Sequence, residues 1–147
     1  MKLDLNAVNV EMPDLDSSLL IRWIRKVAEN HNYRVGDITY VFVDDEEILK
    51  INKEFLQHDY YTDIITFDYS RRGLISGDMY ISLDTVATNA EINNASYRNE
   101  LNRVIIHGIL HLCGINDKGP GEREIMEARE NEALQLLAEM HDCRDDK

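Results

Sequence analysis

Residues 100–113, ELNRVIIHGILHLC, narrow what this chain can fold into more than any other stretch, being apolar on most faces through Val104, Ile105, Ile106, Ile109, Leu110 and Leu112. A helix with so little polar surface has to be covered on nearly every side, so it belongs at the centre of a domain. Gly114 can end it. With 147 residues, 44% of them hydrophobic, the chain has material for one continuous core, and residues 1–147 read as a single domain.

The other elements fall around that helix. Behind Asp16 or Ser17 as N-cap, Leu19, Leu20, Trp23, Ile24, Val27 and Ala28 recur at helical spacing and predict a first amphipathic helix. Gly36 breaks the chain, ITYVFVD alternates β-branched and aromatic residues as a strand does, and DDEEILKINKEFL turns helical at Asp44 or Asp45. Residues 62–69, TDIITFDY, form a short β-rich run; a basic turn, SRRGLISG, leads from it into DMYISLD, so these two runs are adjacent strands in a loose hairpin. From Thr85 the pattern is helical, with a polar interruption at residues 93–99. Gly119, Pro120 and Gly121 mark a turn before GEREIMEARENEALQLLAEMH, a last helix with acids in its first turn, where the helix dipole favours them. The order helix, strand, helix, two strands, helices predicts an α/β (α+β) domain, a small mixed sheet packed against several helices.

Charge and leader features narrow the function. The opening MKLDLNAVNVEMPD alternates acidic and apolar residues, with neither the charged start nor the apolar run of a signal peptide, and no later stretch is long enough to span a bilayer. Cys113 and Cys143 therefore read as reduced thiols of a cytoplasmic protein rather than a disulfide. The 28 acidic against 16 basic residues give a formal net charge of −12. Phosphate neutralisation supplies most nonspecific nucleic-acid affinity, so an isolated chain of this charge would bind nucleic acid weakly, and any such substrate would better be delivered by a larger assembly.

The chemistry sits on the buried helix. His107 and His111 are four residues apart, so their side chains leave the same face one turn from each other. Gly114 permits a left-handed reversal that swings a residue near position 117 back over the imidazoles, and Asp117 stands there. The unit HGILHLCGIND thus offers two neutral nitrogens and an anionic oxygen. Three protein ligands with a fourth position open is the arrangement of catalytic zinc, although Fe²⁺ or Mn²⁺ would also accept this donor set. An i,i+4 histidine pair alone is often incidental; two histidines without partners in an aliphatic helix would be costly to keep, and the added Gly and Asp favour a metal ligand set of His107, His111 and Asp117. His31 and His141, each near a helix end, read as structural, and His58 as a solvated loop residue. Cys113, two positions past His111, points off the ligand face and reads as core. Thr62 and Asp63 could line a cleft, but at a strand edge they read as turn or capping residues.

HGILHLCGIND closely resembles the signature of the YbeY-type endoribonucleases, and TDIITF, GDMYIS and INKEFL resemble further segments of that family in the same order, from about Asn52 to Asn131, with Met126 and Glu130 also matching. The resemblance implies a single-strand-specific, zinc-dependent endoribonuclease acting in ribosomal RNA processing, at the 3′ end of the small-subunit RNA, and in ribosome quality control. It implies as partners ribosomal RNA, the small subunit and ribosome-associated proteins, rather than DNA or a membrane. Two positions depart from the family pattern: the third ligand, commonly histidine, is Asp117, and the arginine at the helix end is Leu56. The cleft then needs another cation for phosphate, and Arg103, four residues before His107 on the stripe Glu100, Arg103, His107, His111, can present its fork there. A surface ion pair with Glu100 is its plainer use.

Two rival functions are open at this point. The histidine spacing is also that of metzincin peptidases, but those place a glutamate base directly after the first histidine, where this chain has Gly108. A non-catalytic ribosome assembly factor, with zinc stapling helix to loop, accommodates the acidic charge and Leu56.

Overall fold

A computed structural model describes residues 1–56 and 62–145, with side chains described as far as His141. In chain order the elements are β1 (Lys2–Ala7), α1 (Ser17–Asn30), β2 (Arg34–Val43), α2 (Asp45–Leu56), β3 (Ile64–Asp68), β4 (Leu74–Ser82), α3 (Leu83–Ile92), α4 (Tyr97–Leu112) and α5 (Glu122–Asp145). The strands form one mixed sheet in the order β1-β2-β4-β3, with β1 and β4 parallel to β2 and β3 antiparallel to β4. The α+β class, the mixed sheet and the β3/β4 pairing are as the sequence predicts.

The helices start where side chains can satisfy their free amides. Asp16 caps α1 by accepting from Leu19 N at 3.2 Å, and Asp44 accepts from Glu47 N at 2.8 Å ahead of α2. Ser96 caps α4 by accepting from Asn99 N at 3.1 Å, so this helix begins three residues before the apolar run.

Three expectations about strands need correction. β1 is an additional strand: Leu3, Leu5 and Ala7 face the core while Lys2, Asp4 and Asn6 alternate outward, the same alternation read above only as unlike a leader. Gly36 does not break the chain; it lies inside β2, where the register with β4 shifts between Val35 and Ile38 and a Cβ would stand 2.5 Å from Ser76 Oγ. β4 starts at Leu74, inside the supposed basic turn, so the turn between the strands is shorter than SRRGLISG.

The larger core lies on one face of the sheet, where Ile38, Tyr40 and Phe42 of β2 and Ile75, Met79 and Ile81 of β4 meet α1, α4 and α5. The helix predicted to be central is central: Val104, Ile105, Ile106, Ile109, Leu110 and Leu112 are all buried. Two buried side-chain donors tie the layers together, one of them to this helix. The Tyr40 hydroxyl donates to Ile105 O at 2.7 Å, and Trp23 Nε1 donates to Ala133 O at 2.8 Å, tying β2 to α4 and α1 to α5. α2 covers the opposite face, where its Ile48 and Ile51 pack with Val43 of β2 and Ile65 of β3. Among the described residues, no helix is long and apolar enough to cross a membrane.

Candidate active site

α4 has one face that the core does not claim, and it carries Arg103, His107 and His111. Its C-terminal end reverses as the sequence predicts: Gly114 adopts φ +90°, its N–H reaches His111 O at 3.0 Å, and Ile115 N reaches Leu110 O at 3.1 Å. That reversal carries Asp117 back over the helix, where Asp117 Oδ2 stands 3.3 Å from His107 Nε2.

The other side of the His107 ring meets α5. Along α5 the buried positions Met126, Glu130, Ala133 and Leu137 form one stripe, with an acid in otherwise apolar company. Glu130 Oε2 lies 2.7 Å from His107 Nδ1, and Oε1 lies 2.9 Å from Arg103 Nη1. Since a carboxylate only accepts, Nδ1 is the donor. Arg103 Nη2 also donates to Asn131 Oδ1 at 2.7 Å. The partner of Arg103 is thus Glu130 rather than Glu100, which is buried beside Asn93.

These groups open onto a cleft of about 530 Å³, lined among others by Asp63, Asn99, Arg103, His107, Asp117 and Arg123. Asp63 lines this cleft, because the chain entering β3 runs past α4, and its carboxylate also accepts from the local backbone at Ile64, as its turn or capping reading expects. Burial pushes its carboxyl above the usual carboxylate range, against the pull of the His107 charge. For His107, burial disfavours the charged ring, but the hydrogen bond and charge of Glu130, with Asp63 and Asp117 behind them, outweigh it and hold the ring above its ordinary value.

The expected metal ligands are placed unequally. His107 and Asp117 are brought together, whereas His111 is half-buried one turn along α4 and does not line the cleft. Among the described residues, no three His, Cys, Asp or Glu side chains converge closely enough to hold an ion as they stand. The pair that does converge fits a metal. Two donors of a tetrahedral zinc with bonds of about 2.0–2.1 Å stand about 3.3 Å apart, and the spacing from His107 Nε2 to Asp117 Oδ2 is 3.3 Å. A ligand imidazole also commonly gives its other N–H to a carboxylate, as His107 does to Glu130.

The remaining residues are quickly placed. Cys113 is buried at the C-cap of α4, as expected of a core residue. His31 is the C-cap of α1, and burial followed by the Arg129 charge lowers its pKa. His141 is exposed on α5. Leu56, where the family resemblance expects arginine, is 40% exposed at the end of α2. His58 and the Cys143 side chain lie outside the described residues. The sequence reading passed over Arg123, set Asp63 aside as a turn or capping residue, and met Glu130 only as a match to the family pattern; its own signal in the sequence was a carboxylate in an apolar helical stripe.

Comparison with known proteins identifies the family. The family model described as Endoribonuclease YbeY matches residues 6–138. Curated relatives named Endoribonuclease YbeY include that of Parabacteroides distasonis, 58% identical over 94% of this chain and 96% of its own length. That of Bacteroides thetaiotaomicron is 61% identical over 86% and 93%, and that of Porphyromonas gingivalis 49% identical over 94% and 91%. In fold the chain is similar to a Thermotoga maritima protein solved in solution, with a TM-score of 0.60 and 24% identity over 99% of this chain and 95% of the other. With a family model covering most of its length and relatives of such identity, this chain belongs to the endoribonuclease YbeY family.

Proposed function

We propose that this chain is a zinc-dependent endoribonuclease that cuts single-stranded RNA during ribosomal RNA processing, including maturation of the small-subunit 3′ end and ribosome quality control. The observation that carries the reading is His107, held between the Glu130 and Asp117 carboxylates at the wall of a cleft in a member of an endoribonuclease family. His107 and Asp117 are two metal ligands in this reading, and His111, next on the same helical stripe, is the third. Zinc supplies Lewis acidity toward a phosphate oxygen; Fe²⁺ or Mn²⁺ would supply the same.

The protein's own groups would orient the substrate. Arg103 spends two of its five N–H groups on Glu130 and Asn131, which leaves others for a phosphate oxygen and holds the guanidinium at the cleft wall. Arg123, on the first turns of α5, adds a second cation to the lining. Together they would stand in for the arginine that Leu56 replaces. The partners in this reading are ribosomal RNA and the small subunit, with ribosome-associated proteins, in the cytoplasm.

Metal analysis of the purified protein, paired with cleavage of a ribosomal RNA precursor, tests the reading. Wild type should carry one equivalent of metal and cut the precursor, whereas His111→Ala and Asp117→Ala should lose metal and cut at least about a hundredfold more slowly. Full metal occupancy and full cleavage in both variants would remove the proposed ligand set.

Leu56 and the acids in the cleft favour one second reading, a zinc-containing assembly factor without catalysis. Wild type that binds zinc, joins the small subunit and leaves the precursor intact would decide for it. A metzincin-type peptidase would need a glutamate base where this chain has Gly108, and a side chain there would have to displace the Met79 side chain and the Ile64 Cδ1 atom, 3.1 Å from a Cβ at that position.

A further inference from the structure

Glu130 is 8% exposed, on a helix face whose other members are Met126, Ala133 and Leu137. A carboxylate taken out of water in such surroundings is costly unless both oxygens are bonded. Both are, and to different purposes: Oε2 accepts from His107 Nδ1 at 2.7 Å and Oε1 from Arg103 Nη1 at 2.9 Å. We propose that Glu130 is the positioning residue of the metal centre, fixing the His107 ring so that Nδ1 is the donor and the Nε2 lone pair faces Asp117, while holding Arg103 at the cleft wall. The proposal rests on the zinc reading above.

The alternative is that Glu130 only fastens α5 to α4. Either use would lower stability when Glu130 is removed, but only the positioning role reaches the metal. An imidazole that keeps its position but loses the acceptor on Nδ1 can rotate and change tautomer, and loss of such a partner weakens metal binding by about 10–100-fold. Arg103 shares the same carboxylate without touching the ring. Its removal leaves the His107 bond in place.

The test is zinc affinity, measured by competition with a chromophoric chelator, beside thermal melts and RNA cleavage at saturating zinc. Glu130→Ala should raise the zinc dissociation constant by about 10–100-fold. Glu130→Gln, nearly isosteric and with one acceptor oxygen left, should raise it less, by about threefold or more, and carries the test if the alanine variant does not fold. Arg103→Ala should leave zinc affinity within about twofold while slowing cleavage. Zinc affinity at the wild-type value in the folded Glu130 variants would overturn the proposal, as would an Arg103→Ala loss as large as that of Glu130→Ala. Wild type that binds zinc but cuts no RNA would sink the endoribonuclease reading and leave this assignment standing; wild type that binds no zinc would sink both.

Discussion

Cys113 shows how little sequence distance says about a residue's role. It is two positions past His111, yet it caps α4 at 7% exposure within the apolar core, and burial pushes its thiol up to about 12. Alkylation proceeds through the thiolate, so near pH 8 Cys113 should react about a thousandfold more slowly than an ordinary thiol until the protein unfolds. Peptide mass spectrometry after timed alkylation separates it from Cys143. Rapid labelling of Cys113 in the folded protein would mean the end of α4 opens readily. Glu130 is the opposite case: 23 residues from His107 along the chain, it is in direct contact with the ring.

Among the elements, α4 and the reversal after it determine the site. The helix is held by the Tyr40 bond to Ile105 O at 2.7 Å, and the reversal at Gly114, with φ +90°, determines how Asp117 returns. A Cβ at Gly114 meets nothing closer than Tyr33 Oη at 3.7 Å, so alanine there would suffer from backbone conformation rather than crowding. Gly114→Ala should therefore cost about 1–2 kcal/mol of stability and also weaken zinc binding, because the relaxed turn moves Asp117 away from His107. Denaturant unfolding and chelator competition measure the two effects. Lost stability with unchanged zinc affinity would show that Asp117 is not brought into place by this turn.

Over the whole molecule, charge limits how RNA is held. The chain carries a formal net charge of −12, and the cleft mixes Asp63, Glu127 and Glu130 with Arg103 and Arg123. Two phosphate contacts would release few counterions, so the log of RNA affinity against the log of salt should fall with a slope no steeper than about −2. Fluorescence anisotropy with a short single-stranded RNA across a salt series gives the slope. A slope several times steeper would reveal a basic surface outside this cleft. In the proposed reading the small subunit would present the RNA, and local concentration would then replace affinity.

The sequence by itself determined what depends on neighbouring residues. The burial of α4 followed from its apolar faces, the cap Asp16 from a side chain that reaches an amide three residues on, and the approach of Asp117 to His107 from a glycine that tolerates the left-handed turn. β1 was written in its alternation too, but six residues with half-exposed apolar positions carry too little hydrophobic signal without a partner strand to receive them. Only the tertiary structure decided which distant carboxylates face the histidines. Glu130 arrives because α5 packs its Met126 to Leu137 stripe on α4, Asp63 because the chain enters β3 beside the same helix, and Arg103 turns from Glu100 to Glu130 because the buried acid needs a partner for its second oxygen. Local stereochemistry places side chains on one helix face and turns a nearby residue back over it; the partners across helices depend on how those helices pack.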